Sequence, residues 1–311
     1  MHRLRVLLLL AAACAGGSHV AGTTAEPVHV QLLAFNDFHG YLEPPPATAR
    51  PLDTGVPIGG VAWLAAHVER LRQQEPTVVV AAGDLVGASP LASALAHDEP
   101  SIAAMDALGL ELSSVGNHEF DEGVQELKRL QRGGCHPGET CPDGPFPGAH
   151  FTYLAANVLD ATGATLFPGS VVKKVGGATL GFIGVVLRDT PTVVTPSGIA
   201  GLTFLDEADT VNALAPKLRA AGADAVVVLI HQGATPAPGS PPDSCRGLTG
   251  PLVEVVQRFR GVDVVVSGHT HQTFICPDLG GALVTSAGSF GRLLTRIHQM
   301  HSKPGPPSRS L

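Results

Sequence analysis

The chain is predicted to adopt an α/β layered fold, because segments typical of strands alternate with segments typical of helices along most of its 311 residues. The strand segments are continuous apolar runs of Val, Leu, Ile and Ala, as at 77–82 and 225–230. Such runs indicate strands that are covered on both faces of a sheet. Asp, Asn and His residues directly follow several of these runs, at the strand ends where α/β folds bind ligands. The sequence therefore predicts both the fold class and the edge of the sheet that carries the site.

The predicted elements alternate regularly from a first strand at 28–35. After a Pro-rich loop at 44–57, a helix is predicted for 60–74, where apolar residues recur at helical spacing. Further helices are predicted at 101–108, 123–130, 206–221 and 251–260. Further strands are predicted at 77–82, 112–115, 154–158, 179–186, 225–230, 262–266, 282–286 and 293–298.

The composition is that of a globular protein. Hydrophobic residues make up 44% of the chain and charged residues 15%, which is enough for the core of one large domain or two small ones. The net charge of −7 argues against a nucleic-acid polymer as the main partner.

The segment 301–311 is polar, rich in Pro and without periodicity, so it is predicted to be a disordered tail.

The first 25 residues are predicted to be a signal peptide. A basic stretch at 1–5 precedes an apolar stretch at 6–13, which is too short to span a bilayer because a spanning helix needs about 20 residues. Cys14 also permits a lipid anchor, although the Leu expected three residues before it is Ala11. No later segment is long enough to be a transmembrane helix. The protein is therefore predicted to be exported, either to a periplasm or into the medium.

Four cysteines follow the signal segment: Cys135, Cys141, Cys245 and Cys276. An even number of cysteines in an exported protein favours disulfides. Cys135 and Cys141 bracket a Gly- and Pro-rich loop and are predicted to pair locally, which leaves Cys245 and Cys276 for a second bridge. The alternative is a zinc–thiolate site, although no two cysteines have the Cys-x2-Cys spacing typical of such sites.

Five polar clusters stand at the ends of predicted strands. Divalent metals at hydrolytic sites bind carboxylate oxygen, amide oxygen and imidazole nitrogen, and the clusters supply all three. The clusters are Asn36-Asp37-Phe38-His39, Gly83-Asp84, Gly116-Asn117-His118-Glu119, His231 and Gly268-His269-Thr270-His271.

The spacing within the clusters suggests a pair of ions. Two metal ions about 3.5–4 Å apart need a bridging carboxylate, and Asp84 is the only acid at its strand end. Asp37 and His39 are separated by one residue, so in an extended segment both project to the same side and bind one ion. His269 and His271 have the same spacing and are predicted to address different ions of the pair.

Each cluster also has a simpler explanation when it is considered alone. An Asp such as Asp84 after a strand often caps a helix, Asn117 suits a turn, and a single His such as His231 is often polar loop surface. Glu119 could serve the N-terminus of a helix. Because all five clusters stand at strand ends, their coincidence favours a two-metal site over five separate explanations.

The combined pattern resembles the calcineurin-like metallophosphoesterases. The segments 36–40, 116–123 and 285–291 are similar to the branch of exported 5′-nucleotidases and 2′,3′-cyclic phosphodiesterases. The resemblance implies a four-layer α/β/β/α sandwich for residues 26–300. It also implies two divalent ions, for which zinc, manganese, iron and cobalt all suit the mixed ligands.

The resemblance also implies a role for each site residue. His118 would contact the phosphate, and Asp121, three residues on, would orient it. Asp84 would bridge the two ions. The first ion would be held by Asp37, His39, Asp84 and His271, and the second by Asp84, Asn117, His231 and His269.

The implied reaction is attack on phosphorus by a hydroxide held between the two metals. The implied substrate is a small phosphate ester, in particular a nucleotide cleaved as by a 5′-nucleotidase. Two alternatives stay open at this point. One is a different hydrolase of the same fold, such as a cyclic phosphodiesterase or a UDP-sugar hydrolase, and the other is a truncated metal-binding fragment with little activity.

The chain also departs from the branch that it resembles. Members of this branch usually continue into a second domain, which stacks the nucleobase and supplies arginines to the substrate. Here no late aromatic pair among 11 Phe and two Tyr suggests a base sandwich, and 301–311 does not resemble the start of that domain. The sequence therefore predicts a catalytic domain without the substrate domain.

Overall fold

A computed structural model describes residues 29–46, 57–138, 140–141, 144–298 and 308–310. The predicted signal peptide at 1–25, with Cys14, lies outside the described residues, as does most of the predicted tail.

Helices and strands alternate as the sequence predicts. The helices are α1 (Gly60–Arg72), α2 (Leu91–Ala94), α3 (Glu99–Leu108), α4 (Val124–Arg132), α5 (Glu207–Ala220) and α6 (Pro251–Gln257). The first strands are β1 (Gln31–Phe35), β2 (Thr77–Ala82), β3 (Leu112–Ser114), β4 (Thr152–Leu154), β5 (Val158–Leu159), β6 (Ser170–Val175) and β7 (Ala178–Val186). The remaining strands are β8 (Thr203–Phe204), β9 (Ala225–His231), β10 (Val264–Ser267), β11 (Thr273–Leu279), β12 (Ala282–Ala287), β13 (Thr295–His298) and β14 (Ser308–Ser310).

Two six-stranded sheets share one plan. The first has the order β14-β13-β1-β2-β3-β4, and the second has the order β11-β12-β10-β9-β7-β6. Four neighbouring strands run parallel in each, namely β1 to β4 in the first sheet and β7, β9, β10 and β12 in the second. In the first sheet, β13 pairs antiparallel with β1 and with the edge strand β14, and in the second sheet the antiparallel strands β6 and β11 form the two edges. The parallel strands therefore direct their carboxyl ends to one edge of each sheet.

Three hydrophobic cores separate four layers. The inner core lies between the two sheets and contains Leu32 of the first and Phe182 of the second. The opposite face of the first sheet, with Leu33, packs against α1, α3 and α4. The opposite face of the second sheet, with Val228, packs against α5 and α6. The predicted α/β/β/α sandwich is thereby confirmed.

The strand predicted at 154–158 is two strands, because the chain leaves the first sheet after Leu154. The side chain of Asn157 donates to the carbonyl oxygen of Val186 at 2.7 Å and accepts its N–H at 3.0 Å. This side chain thus ties the segment after β4 to the end of β7 in the second sheet. The strands β6 and β11 were not predicted from the sequence, and β11 tolerates Pro277 because it lies at the edge of its sheet.

Three residues of the segment predicted to be a disordered tail are ordered. Ser308–Ser310 form β14, which pairs antiparallel with β13. The prediction is wrong for these residues, because a strand at the edge of a sheet offers backbone groups to which another segment can bond.

Both predicted disulfides are present, Cys135–Cys141 and Cys245–Cys276. These cysteines are therefore not available as thiolate ligands of zinc. Cys276 lies in β11 and Cys245 in the loop before α6, so the second bridge ties this loop to the edge of the second sheet. Among the described residues, no helix combines the length and the apolar character needed to cross a membrane.

Candidate functional site

The predicted site residues converge where five parallel strands end. Asp37, Asp84 and Asn117 follow β1, β2 and β3 of the first sheet, while His231 ends β9 and His269 follows β10 of the second. The backbone N–H of His269 donates to both carboxylate oxygens of Asp37 at 3.0 Å. The two sheets are thus joined directly at the site.

The turns after these strands are not extended. Backbone bonds hold them, since the N–H of Asp37 donates to Gly83 O at 3.1 Å and that of His39 to Asp84 O at 2.9 Å. The interpretation of Asp37 and His39 as neighbours in an extended segment is therefore wrong. Five of the seven predicted ligands have a backbone in the left-handed region, with positive φ: Asp37 (52°), His39 (51°), Asp84 (51°), His269 (72°) and His271 (54°). Left-handed backbone conformations of this kind cost about 1–3 kcal/mol each and are typical of functional sites.

The candidate ligand atoms form three overlapping groups, and within each group all atoms lie within 4.8 Å of one another. Oδ2 of Asp84 lies 2.9 Å from Nε2 of His231 and 3.6 Å from Nε2 of His39. Asp84 thus stands between the two halves of the site. The groups are Asp37–His39–His271, His39–Asp84–His118 and Asp84–His231–His269.

The tautomer of His231 provides a test of whether a metal fits. Nδ1 lies 2.7 Å from the carbonyl oxygen of Ala82, which only accepts, so Nδ1 carries a proton. In the neutral ring, Nε2 then presents a lone pair to the carboxylate of Asp84, and it makes no hydrogen bond of good geometry with the described residues. Two electron-rich atoms 2.9 Å apart in a buried site repel each other unless a metal ion or a proton lies between them. The residues present therefore fit a divalent metal.

A proton shared between Nε2 of His231 and the carboxylate of Asp84 can also satisfy these two atoms. Burial opposes the charged forms of both residues, yet the attraction between the two charges outweighs the effect of burial. The carboxylate of Asp84 raises the pKa of His231 to about 10, and His231 holds the pKa of Asp84 well below its usual range. A metal ion bound here would take the place of the proton shared by the pair.

His39 is set up in the same way. Nδ1 of His39 lies 2.9 Å from the carbonyl oxygen of Gly87, which leaves Nε2 to face Nε2 of His271 at 3.1 Å. Nδ1 of His269 lies 3.0 Å from Oδ1 of Asn117. Burial lowers the pKa of His39 and of His269, so it favours the neutral imidazole that binds metals.

The imidazole of His118 lies beside the candidate ligands, and a neighbouring carboxylate orients it. Its Nδ1 is 2.8 Å from Oδ2 of Asp121, and its backbone N–H donates to Oδ1 of Asp84 at 3.0 Å. The hydrogen bond to Asp121 raises the pKa of His118 and leaves Nε2 free to face the centre. The imidazole is about one-third exposed, so a substrate can reach it.

Glu119 has a role that the sequence reasoning missed. Its carboxylate is buried and accepts the backbone N–H groups of Asp84 at 2.9 Å, of Leu85 at 2.7 Å and of Gly116. Burial, together with the nearby Asp84 carboxylate, raises the pKa of Glu119 to about 7. Glu119 therefore holds the turn that carries Asp84 instead of serving a helix N-terminus.

The residues 30–273 match the family described as Calcineurin-like phosphoesterase. The chain belongs to this family.

Curated relatives of this phosphoesterase have diverse names. The chain is 34% identical over 277 residues to the "Cell wall protein Lmo0130" of Listeria monocytogenes and 31% identical over 276 residues to the "Endonuclease YhcR" of Bacillus subtilis. It is 28% identical over 291 residues to a "Probable 5′-nucleotidase" of Treponema pallidum. These matches cover 81%, 86% and 89% of the chain but only 34%, 22% and 42% of the relatives. The chain thus spans less than half the length of each of these relatives.

Solved structures agree on the fold. The calcineurin-like phosphoesterase YfkN from Bacillus subtilis has a TM-score of 0.68 at 23% identity, covering 91% of this chain and 89% of that one. The 5′-nucleotidase precursor from Thermus thermophilus has a TM-score of 0.67 at 25% identity, covering 90% of this chain and 53% of that one.

An aromatic pair next to the phosphoesterase centre was also missed. The rings of Tyr41 and Phe290 stack with centroids 4.1 Å apart, and the Phe290 ring lies 5.3 Å from that of His271. Both side chains are partly exposed. The backbone of Phe290 has a φ of 63° and its N–H donates to Asp37 O at 2.8 Å, which fixes the ring beside the site. The two aromatic residues are far apart in the chain, so no local sequence signal could have paired them.

We expect Glu119→Gln to weaken metal binding by about 10- to 100-fold, as is typical when a residue that supports ligands is changed. The amide keeps one acceptor oxygen but brings an N–H₂ group against backbone donors, so the turn of Asp84 must shift. Metal content after dialysis, measured by mass spectrometry, checks this. The matched control is Glu254→Gln on the exposed side of α6. Equal metal retention in both variants would contradict the role of Glu119.

Proposed function

We propose that this calcineurin-like phosphoesterase hydrolyses phosphate monoesters of nucleosides, with two divalent metals, outside the cytoplasm. The observation that carries the proposal is the position of Asp84, shared between a group on the first sheet and a group on the second. The nucleotidase names among the relatives support the substrate class. The two disulfides support export, because such bridges persist in oxidising compartments.

The chain would hold the metals with residues of both sheets. Asp37, His39 and His271 would hold one ion, and Asn117, His231 and His269 the other, with Asp84 between them. Two divalent cations, here zinc, manganese, iron or cobalt, supply a hydroxide near neutral pH because they lower the pKa of bound water. The remaining catalytic work falls to the side chains around them.

His118 would be the residue that acts on the phosphate itself. Because Nδ1 faces Asp121, Nε2 is the atom that can donate a hydrogen bond to a phosphate oxygen. As charge develops on the leaving oxygen, a protonated Nε2 can transfer its proton to it. Asp121 stabilises the protonated ring and fixes its direction, which is the positioning that phosphoryl transfer depends on.

The aromatic pair gives a reason to favour nucleotides among phosphate esters. A base can stack on the exposed part of the Phe290 ring while the phosphate lies at the metals, since Phe290 is next to His271. Such stacking is sequence-tolerant because every base has a π-face. Cyclic phosphodiesterase and UDP-sugar hydrolase activities remain the alternatives within the fold, together with an inert metal-binding fragment.

The function is tested with a substrate panel on the metal-loaded protein. We expect release of inorganic phosphate from nucleoside 5′-monophosphates that is faster than cleavage of bis-p-nitrophenyl phosphate, 2′,3′-cyclic nucleotides or UDP-sugars. Asp84→Asn should lower kcat/KM by more than about 100-fold, because a neutral amide cannot bridge two cations. Bound metal without any turnover would instead identify an inert fragment.

His118→Ala should have an effect that depends on the leaving group. Loss of a general acid costs about 10²–10⁴-fold when the leaving alkoxide needs a proton. We expect such a loss for a nucleoside 5′-monophosphate and a much smaller one for p-nitrophenyl phosphate, whose phenolate leaves unprotonated. His150→Ala, at a side chain that is 83% exposed, is the control. Equal losses on both substrates would exclude proton donation by His118.

Phe290→Ala should raise KM for nucleotides by about 5- to 150-fold, because stacking of one base on an aromatic ring is worth about 1–3 kcal/mol. KM for glycerol phosphate, which has no ring to stack, should stay within about twofold by the same reasoning. Phe290→Tyr keeps the ring and should restore nucleotide binding. If KM rises equally for both substrates, the ring supports the site without contacting the base.

A further inference from the structure

We propose that the protein has a third divalent-cation site, counted beside the two ions of the proposed function and separate from the catalytic centre. It consists of the four side chains His97, Glu122, Glu126 and His136, named here the His97 cluster. One ligand atom from each of these residues lies within 4.8 Å of the other three. None of them belongs to the three groups of the catalytic centre.

Oε2 of Glu122 is the common neighbour in the His97 cluster. It lies 2.8 Å from Nδ1 of His97 and 3.8 Å from Nε2 of His136. The same Nε2 of His136 lies 3.9 Å from Oε2 of Glu126. These atoms are as close to one another as the ligands of a single ion, which sit about 2 Å from the metal and therefore about 3–4 Å apart.

Arg129 prepares Glu126 for this role. Its guanidinium donates to both carboxylate oxygens of Glu126 at 2.6–3.0 Å, and both side chains are 6% exposed. A carboxylate oxygen has two lone pairs, so Oε2 can bind a metal and still accept from Arg129. Hydrogen bonds of this kind orient the carboxylate ligands of metal sites.

The backbone around the His97 cluster is fixed from three sides. His97 has a φ of 49° in the turn between α2 and α3, and Glu122 and Glu126 lie just before and within the first turn of α4. His136 follows Cys135, whose disulfide to Cys141 closes a loop of a few residues. A disulfide next to a ligand limits how far the site can disperse when no ion is bound.

The two imidazoles already lie together. Their rings are parallel, with an interplanar angle of 4° and centroids 3.6 Å apart. To bind one ion together, the rings must rotate out of this stack so that the lone pairs of Nδ1 of His97 and Nε2 of His136 converge. The exposed fractions of the His97, His136 and Glu122 side chains are 23%, 25% and 42%, so an ion can enter from solvent.

The donor set selects the class of ion. Two imidazole nitrogens and two carboxylate oxygens suit a first-row transition metal such as zinc. Calcium and magnesium prefer a shell of oxygen ligands, so two imidazoles disfavour them.

The His97 cluster is next to the catalytic residues without sharing a ligand with them. A cavity of about 100 Å³ is lined by His97, Glu122 and Glu126 on one side and by His118 and Asp121 on the other. Because Glu122 directly follows Asp121, an ion bound by Glu122 would fix the segment that orients His118. The third ion thus has a structural role, which also positions Asp121.

The direct test is a crystal of the wild-type protein grown with zinc, with anomalous diffraction recorded at the zinc edge. The proposal expects a peak within bonding distance of the four side chains, in addition to any peaks at the catalytic centre. A map with catalytic peaks and none at the His97 cluster overturns the proposal. Because this experiment uses the wild type, it does not depend on how any variant folds.

A second test counts zinc ions and measures stability. After dialysis against zinc, His136→Ala and Glu122→Gln should each hold one ion fewer per chain than the wild type. Both should also lose the rise in Tm that zinc gives beyond the effect of the catalytic ions. His150→Ala should match the wild type. Equal zinc content in the wild type and both cluster variants overturns the proposal, and zinc-edge anomalous peaks that persist at the catalytic centre of the variants show that the catalytic ions remain.

Discussion

The carboxylate of Glu119 binds the backbone of two adjacent turns at once, and the rest of the site depends on this contact. It accepts from Asp84 and Leu85 after β2 and from Gly116 after β3. A side chain on Gly116 would overlap the Asp84 carboxylate, so the two turns approach as closely as the backbone permits. The left-handed conformation of Asp84 is therefore maintained by its neighbours, as expected for strain at functional sites. Without that constraint, the carboxylate shared by both halves of the site would have no fixed direction.

The packing of two sheets explains how the residues of the candidate site come to surround one cleft. A single parallel sheet presents its strand ends along a line, whereas two packed sheets present them on both sides of a cleft. Asp37 and Asp84 come from one side and His231 and His269 from the other, and Nδ1 of His231 reaches across to Ala82 O. The inner core between the sheets, rather than any loop, therefore sets the distance between the carboxylate side and the imidazole side.

Much of this could be predicted from the sequence, and the reasons are physical. Apolar runs ending in Asp, Asn and His place residues such as Asp84 and His231 correctly, because parallel strands align their ends whatever the loops do. The conformation of the turns was not predictable, since the left-handed φ of His39 results from bonds to Asp84 that are distant in sequence. The role of Glu119 and the stack of Tyr41 on Phe290 were missed for the same reason. The histidines at 97 and 136 gave no signal because their neighbours in sequence are not their neighbours in space.

The span of the site along the chain bears on how the protein folds. The bond between Asp37 and His269 joins residues 232 positions apart, and Phe290 closes over Asp37 from still farther along the chain. Contacts of such long range form late, because the chain must lose the entropy of a long loop before they bring any gain. While the protein is being synthesised, the first sheet can form most of its own contacts well before the second sheet exists. During that interval the half of the centre on the first sheet is assembled without His231, His269 and His271, so full metal affinity appears only when the final strands dock.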